Sequence, residues 1–379
     1  MTQLKRAHVD APLVTSRGTP PARRAARERS SRQASITDVA RRAGVSVASV
    51  SRVMNGQTNV REVTRKRILA AVRALHYVPH SGARSLITRH TNAVGVLLPD
   101  LYGEFFSELI RGIDSVARPR GLQLLLSSVH GGAPELAEAI RAMRGRVDGV
   151  LLMSPHVDAA LLDQNLPSGL PVVLLNSPLK GARAPSVNVD GYQGARAMVR
   201  HLASLGHKRI AHVAGPPNHL DSGERLRGYV DEMARVAPDA TTLVVRGDFG
   251  ITSGYAAGRK LAARTDRPEA VFAANDAMAV GCLSAFEDAG LRVPEDIAVV
   301  GFDDIPLASL VRPALTTAAV HIADLGSRAL EMLIIDMEGA SHGKVKSRSF
   351  VPEVVVRESC GAHREPTPRR PGRPVVGGV

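Results

Sequence analysis

Few side chains of this 379-residue chain have the character of ligand-holding groups, and those few share one chemistry. Arg225, Asn275 and Asp303 offer charged and amide hydrogen-bonding groups, and Asn176 offers another amide. Phe105, Phe106 and Phe249 offer aromatic faces. Each follows a short apolar run or turn. Phe105 and Phe106 come after Ala93–Leu98 and its loop, and Asn176 after Val172–Leu175. Arg225 comes after Gly215-Pro-Pro217, and Phe249 after Gly247-Asp248. Asn275 and Asp276 follow Ala270–Ala273, and Asp303 follows Val299-Val-Gly301. In open α/β sheets, ligands bind beyond the carboxyl ends of the strands. Arg, Asn and Asp beside aromatic faces suit a polyhydroxylated ligand such as a sugar. Taken singly, each is equally a helix N-cap or turn residue, and Asn275-Asp276 before a helix would cap it in any case. His219 and Asp221 fall in the loop before Arg225 and either tune specificity or are simply loop.

Catalytic chemistry is not expected. The chain has no G-x-S-x-G nucleophile elbow, P-loop, G-x-G-x-x-G or H-E-x-x-H. His201, His207 and His212 lack the i, i+4 spacing of a zinc pair and read as surface helix and turn residues. No catalytic residue, metal site or cofactor is therefore assigned. Two cysteines, Cys282 and Cys360, allow no disulfide framework and fit a reducing cytoplasm. No apolar stretch follows the N-terminal Arg and Lys as in a signal peptide. The longest apolar runs, such as Gly149–Met153, are far short of the roughly 20 residues that span a bilayer.

The elements that must position these residues are short strands alternating with helical stretches. Strands are expected at Ala93–Leu98, Leu122–Ser127, Gly149–Met153, Val172–Leu175, Ile210–Val213, Leu243–Val245, Ala270–Ala273 and Ala298–Gly301. This alternation implies parallel sheets with right-handed crossovers. The stretch 91–360 exceeds one comfortable domain, so two similar α/β lobes with a cleft between them are expected.

Ahead of this body the charge changes. Residues 1–90 hold 18 Lys/Arg against 4 Asp/Glu, whereas residues 91–379 hold 31 against 32, so the whole net charge of +13 belongs to the N-terminal quarter. A basic region on a near-neutral body points to a polyanion partner for that region alone. Its only aromatic residue is Tyr77, which favours duplex over base-stacked single strands. Residues 1–34, rich in Arg, Ala, Pro and Ser, read as disordered. They either add non-specific phosphate attraction or lie upstream of the true start. Thr37 reads as the N-cap of a short helix with Val39, Ala40 and Ala43 inward. Gly44-Val45-Ser46 is a turn in which Ser46 caps a second helix, Val47 to Met54. That helix buries Val50 and Val53 and exposes Val47, Ala48, Ser49, Ser51 and Arg52, and Asn55-Gly56 ends it. A third helix runs from about Glu62 to His76, with Ile68, Ala71, Val72 and Leu75 on one face. Two short helices about a glycine turn match a helix-turn-helix, whose second helix enters the major groove. An ordinary three-helix bundle with a solvated basic face is the plainer reading.

The run Ile36-Thr-Asp-Val-Ala-x-x-Ala-Gly-Val-Ser-x-x-Ser-Val-Ser-Arg-Val-x-Asn-Gly56, with Thr64-Arg65, His76-Tyr-Val-Pro79 and Ala83-Arg-Ser-Leu86, resembles the lactose-repressor (LacI/GalR) family of bacterial transcription regulators. The resemblance covers roughly residues 35–360. It implies a helix-turn-helix head at 35–79, a hinge helix at 80–90, and an effector-binding and dimerisation domain at 91–360 of periplasmic-binding-protein type. Lobe 1 would comprise about 91–190 and 321–349, and lobe 2 about 191–320 and 350–360, with crossovers near Asp190/Gly191, Val320/His321 and Ser349/Phe350. It further implies that Val47, Ala48 and Arg52 read base edges, with Arg52 the bidentate partner for a guanine. Thr37, Ser46, Ser49 and Asn55 would contact phosphates. Ala83 and Leu86 would belong to the hinge helix, with Leu86 wedged into the minor groove. Arg225, Asn275 and Asp303 match hydrogen-bonding effector positions, and Phe106 and Phe249 match aromatic ones. Three departures stand out: His80 where Asn is usual, Gly82 inside the hinge helix, and Arg61 where a Ser commonly caps the third helix. The tail 361–379 has no leucine heptads, so a dimer through the α/β lobes is expected, not a coiled-coil tetramer.

The expected function is thus a cytoplasmic, homodimeric, ligand-controlled repressor on a near-palindromic double-stranded DNA operator, with a sugar or sugar derivative as effector and no membrane partner. Purines or other metabolites are the alternative effectors. A solute-binding protein, an enzyme using the cleft and an unspecific nucleoid binder are the rival classes.

Overall fold

The computed structural model describes residues 34–57, 59–78, 90–130, 132–154, 159–166, 169–177, 184–339 and 347–362. The chain divides into two compact units, 1–89 and 90–379. In the first, helix α1 (Ile36–Ala43) is capped by Ser35, not by Thr37. Ser35 Oγ accepts from Asp38 N at 3.3 Å while the Asp38 carboxylate accepts from Ser35 N at 3.0 Å. This reciprocal box satisfies two otherwise orphaned donors, which places the helix start two residues earlier than Thr37 would. Gly44 ends α1 at φ 62, a left-handed conformation that glycine adopts at no steric cost. Ser46 then caps α2 (Val47–Met54), accepting from Ser49 N at 3.2 Å. Helix α3 (Glu62–Ala74) stops two residues short of His76, and Arg61 at its N-cap makes no side-chain cap. Val39, Val50 and Ile68 are fully buried at the centre of the three helices. Each contributes about 1.5–3 kcal/mol by leaving water.

The second unit holds two parallel sheets. Strands β1 (Ala93–Leu98), β2 (Gln123–Ser128), β3 (Gly149–Leu152), β4 (Val172–Leu175), β5 (Ser186–Val189) and β11 (Arg348–Phe350) form the first, in the order β11-β5-β4-β3-β1-β2. Strands β6 (Ile210–Ala214), β7 (Leu243–Arg246), β8 (Ala270–Ala273) and β9 (Ala298–Val300) form the second, in the order β7-β6-β8-β9. Short β10 (Thr317–Ala319) and β12 (Glu353–Val355) pair antiparallel beside it. Strands β1, β3, β4, β6, β8 and β9 are buried throughout, as parallel strands covered on both faces must be. The chain passes between lobes after β5 and again after β10. Phe350 is still paired with Val189, so the third passage falls at Val351–Pro352, just beyond the Ser349/Phe350 step.

Helices α4 (Glu104–Ala117), α5 (Ala133–Met143), α6 (Ala159–Asn165) and α11 (Ile322–Met337) belong with the first sheet. Helices α7 (Gly191–Ser204), α8 (Leu220–Val236), α9 (Ile251–Ala262) and α10 (Asp276–Asp288) belong with the second. His212 departs from the surface reading. It lies in β6, is fully buried, stacks on Tyr229 at 5.0 Å, and its Nδ1 is 2.9 Å from the Phe272 carbonyl. Burial pushes its pKa down to about 3, so the ring is neutral.

Helices α9 and α10 meet backbone to backbone. A Cβ on Gly254 would lie 2.2 Å from Met278 O, and one on Gly281 would lie 2.1 Å from Ile251 O. That crossing sets the two helix starts, preceded by Phe249 and Asn275, beside each other. Gly281→Ala is expected to destabilise the unit by about 1–3 kcal/mol in urea unfolding, the usual cost of overpacking. An unchanged midpoint would contradict the crossing.

Candidate functional site

The carboxyl ends of strands from both sheets face a cavity of about 100 Å³. All seven residues singled out for ligand contact line it: Phe105, Phe106, Asn176, Arg225, Phe249, Asn275 and Asp303. His219, Asp221, Pro99, Met153 and Leu220 complete the wall. Pro99, Met153 and Leu220 carry no polar signal and were not foreseen. His219 and Asp221 are not loop residues: His219 is the N-cap of α8 and Asp221 stands in its first turn.

Arg225 dominates the polar side. It is 4% exposed, and one terminal nitrogen, Nη1, donates to the Ala274 carbonyl. The other, Nη2, is 3.1 Å from Asp303 Oδ1, and the guanidinium lies over the Phe302 ring, 3.8 Å from its centroid. Arg225 Nε and Asp303 Oδ1 are buried and have no aligned hydrogen-bond partner among the described residues. The Arg225–Asp303 contact is therefore a close ion pair that leaves hydrogen-bonding capacity unused. Burial raises the Asp303 pKa to about 6; Arg225 opposes the rise and Asp221 adds to it. Behind it, fully buried Asp276 accepts from Thr317 Oγ1 at 2.5 Å and Ile305 N at 2.9 Å. Burial, and then the Asp303 charge, hold its pKa well above the carboxylate range.

Backbone strain concentrates here. Asn176, Phe249 and Asp303 have φ of 44, 71 and 114, a region L-residues rarely enter. Such positions cost about 1–3 kcal/mol each and persist only where surroundings over-determine them. Around Asp303 the Asp303 N–Ala318 O bond (2.9 Å) and the Val320 N–Asp303 O bond (3.3 Å) do so.

Among the described residues two hydrogen bonds cross the cleft. Asn176 Nδ2 donates to Asp221 Oδ1 at 2.7 Å, while Asn176 Oδ1 accepts from Val189 N at 3.0 Å. Glu104 Oε2 accepts from Leu307 N at 3.0 Å. Asn275 is the α10 N-cap: it accepts from Met278 N at 3.0 Å and donates to Phe249 O at 2.9 Å. Its amide thus serves the scaffold first. The Phe249 ring lies against Gly215, where any Cβ would come within 2.4 Å of it, and His219 meets the ring edge-on at 5.1 Å. Phe105 and Phe106 form an edge-to-face pair at 5.4 Å.

In the head, Thr37, Ser46, Val47, Ala48 and Arg52 are exposed and form the outward face of α1 and α2. Val47 is 42% exposed. Ser49 and Asn55 are half-buried, as is Ser51, so the outward face is narrower than expected. Ser49 Oγ lies 3.0 Å from Ser46 Oγ, and Asn55 Nδ2 donates to Ser51 Oγ at 3.4 Å. The hinge residues His80, Gly82, Ala83 and Leu86 lie outside the described residues. Among the described residues no helix is long and apolar enough to cross a membrane, and no three His, Cys, Asp or Glu could hold a metal ion.

A helix-turn-helix head before a two-lobed α/β domain with a polar, aromatic cavity defines a class of DNA-binding regulators. The chain belongs to the lacI family of bacterial regulatory proteins. Residues 35–80 match that family's description, and residues 199–360 match a periplasmic binding protein-like domain. The chain is 36% identical over 304 residues to catabolite control protein A of Priestia megaterium, covering 79% of this chain and 91% of that protein. It is 37% identical over 308 residues to the ribose operon repressor of Escherichia coli K12, covering 79% and 92%. A crystal structure of the Lac repressor dimer bound to operator and the anti-inducer ONPF superposes with a TM-score of 0.76 at 29% identity, covering 87% of this chain and 99% of that one.

Removing one partner of a buried ion pair strands the other. Asp303→Ala is expected to cost about 3 kcal/mol or more at pH 7 by denaturant unfolding. A loss no larger than that of an exposed pair would mean that Arg225 is not held by Asp303.

Proposed function

We propose that the protein is a homodimeric, sequence-specific transcriptional repressor acting in the cytoplasm, and that a small polar effector bound between its lobes sets its operator affinity. The observation that carries this reading is the Arg225–Asp303 pair: buried, strained and incompletely hydrogen-bonded, it lines a cavity whose other wall is aromatic. A buried polar group left without a partner costs about 1–3 kcal/mol, and a ligand hydroxyl recovers that cost on binding. Aromatic Phe105, Phe106 and Phe249 suit the apolar face of a sugar ring. The ribose operon repressor and a lacI family regulator with bound ribose support a sugar effector.

In this reading the chain works as a head at 35–79, a linker at 80–90 and an effector-binding domain at 91–360. Arg52 reads a guanine edge, Val47 and Ala48 contact thymine methyls, and Thr37, Ser46, Ser49 and Asn55 hold phosphates. Ala83 and Leu86 lie in the hinge, where Leu86 wedges the minor groove. Two-fold symmetry makes the operator near-palindromic. The ligand acts by favouring one relative pose of the lobes. Moving a two-state equilibrium from 1:99 to 99:1 takes a differential affinity of about 5.5 kcal/mol. The repressor relatives and the catalytic motifs missing from the sequence both speak for a binding protein that turns nothing over.

Arg52→Ala is expected to weaken operator binding by about 1–3 kcal/mol while leaving binding to random duplex nearly unchanged, in a salt-matched gel shift. Equal losses on both DNAs would remove its base-reading role. Effector binding carries a pH signature as well. The ligand's hydroxyls donate to ionised Asp303, so binding lowers a pKa that stands at about 6 in the free protein. Affinity should be full above pH 6 and fall as pH drops, by at most about tenfold per pH unit. Calorimetry showing constant affinity from pH 7.5 to 5 would contradict the contact.

A further inference from the structure

Helices α7 and α8 lie against each other in lobe 2, and a charge is buried between them. The Glu232 side chain has no exposed surface, and three arginines close over it. Arg196 Nε donates to Oε2 at 2.8 Å. Arg200 donates from Nε to Oε1 at 3.1 Å and from Nη2 to Oε2 at 3.4 Å. Arg235 donates from Nε and Nη2 to Oε1, at 2.8 and 2.5 Å. Burial alone would raise the Glu232 pKa, but the bonds from Arg200, Arg235 and Arg196 outweigh it and hold the group at about 2. The carboxylate is therefore ionised at neutral pH.

One carboxylate offsets one arginine, so Glu232 leaves two of its three partners uncompensated. Two more carboxylates stand nearby on α8, and both are engaged elsewhere. Glu224 pairs with Arg227 at 2.9 Å, and Asp231 accepts from the Tyr192 hydroxyl at 2.9 Å. Asp231 also attracts Arg196. With all of these counted, four arginines face three carboxylates, and the remaining charge falls on Arg200 and Arg235, whose side chains are about half exposed. Surface arginines are mobile, and a ligand that must order them loses part of its binding free energy. Glu232 has already ordered these, and Arg196 also lies over the Tyr192 ring, 5.5 Å from its centroid. Donors are left over. The Nη1 groups of Arg200 and Arg235, and both Nη groups of Arg196, make no hydrogen bond among the described residues. Because Arg200 and Arg235 meet at the same carboxylate oxygen, covalent geometry keeps their free ends within reach of a single polyatomic anion.

We propose that Arg196, Arg200 and Arg235 form a second ligand site, for a phosphate group, built on the buried Glu232. Guanidinium forks match phosphate oxygens two at a time. A phosphate group carries a charge of about −1.5 to −2 at pH 7, which offsets the excess. None of the three arginines lines the effector cavity, so the site is separate from it and does not depend on it. A network that only fixed α7 on α8 needs one arginine on Glu232. The second and third add like-charge repulsion, which a bound anion relieves. The phosphate is either free orthophosphate or the terminal group of a small ester.

The test is calorimetry on the full chain in chloride buffer, with sodium phosphate and with glycerol 3-phosphate as probes. Each titration is repeated on Arg200→Gln/Arg235→Gln, in which Arg196 still pairs with Glu232, and thermal unfolding without phosphate checks that this variant folds. Phosphate taken up by the DNA-reading head persists in the variant and is subtracted. At least one probe should bind the native chain about tenfold or more tightly than the double variant. The tighter probe identifies the source of the phosphate. Arg200→Lys keeps the charge but not the fork, and should lose several-fold in affinity. Equal titrations for the native chain and the double variant would overturn the proposal and leave the cluster as a tie between two helices. Full affinity in Arg200→Lys would overturn it too, because a diffuse positive field, and not a built site, would then hold the anion.

Discussion

The structure turns on one buried ion pair. Arg225 and Asp303 sit where the second lobe meets the cavity, almost wholly out of water, and neither is fully hydrogen-bonded. A pair so placed contributes little to stability, because desolvation offsets its attraction. Its environment explains why it persists: the Ala274 carbonyl, the Phe302 ring, and backbone bonds to Ala318 and Val320 hold both partners in place. The surrounding fold holds the pair in place instead of letting it relax. Asp276 behind it, its pKa raised by burial, accepts from Thr317 Oγ1 and Ile305 N and so anchors the same turn. The Asn176–Asp221 and Glu104–Leu307 hydrogen bonds join this lobe to the other.

The second organising constraint is the segregation of charge. The net charge of +13 is made of +14 in the first 90 residues and −1 in the rest, so the body is close to neutral. Phosphate attraction therefore belongs to the N-terminal quarter of the chain. Affinity at the head should fall steeply with salt, while ligand binding in the body should not.

Much of this was legible in the residues. The apolar runs that became β1, β3, β4 and β8 announce themselves, because a strand buried on both faces leaves little room for polar positions. β5, β10, β11 and β12 do not: they are three or four residues long and mix polar with apolar side chains. The helix starts at Ser46 and Asn275 followed from residue type, whereas Ser35 was overlooked although Asp38 stands three residues on. His212 was misplaced because nothing in its own type signals the aromatic stack on Tyr229 and Phe272 that makes burial tolerable. The seven cavity residues were recognisable from their positions after strands. Their strain was not, since positive φ at Phe249 or Asp303 arises from tertiary context that overrides residue preference. Nor was the split loyalty of Asn275, which caps a helix as much as it lines the cavity.

The central claim is that occupancy of the Arg225–Asp303 cavity and grip on DNA are one coupled equilibrium. The most direct test is a thermodynamic cycle with the full chain. Operator affinity is measured by fluorescence anisotropy with and without a cavity ligand, and ligand affinity by calorimetry with and without operator. Linkage requires the two ratios to be equal, and the account predicts a common factor of about tenfold or more. A ligand that fills the cavity and leaves operator affinity unchanged would contradict it.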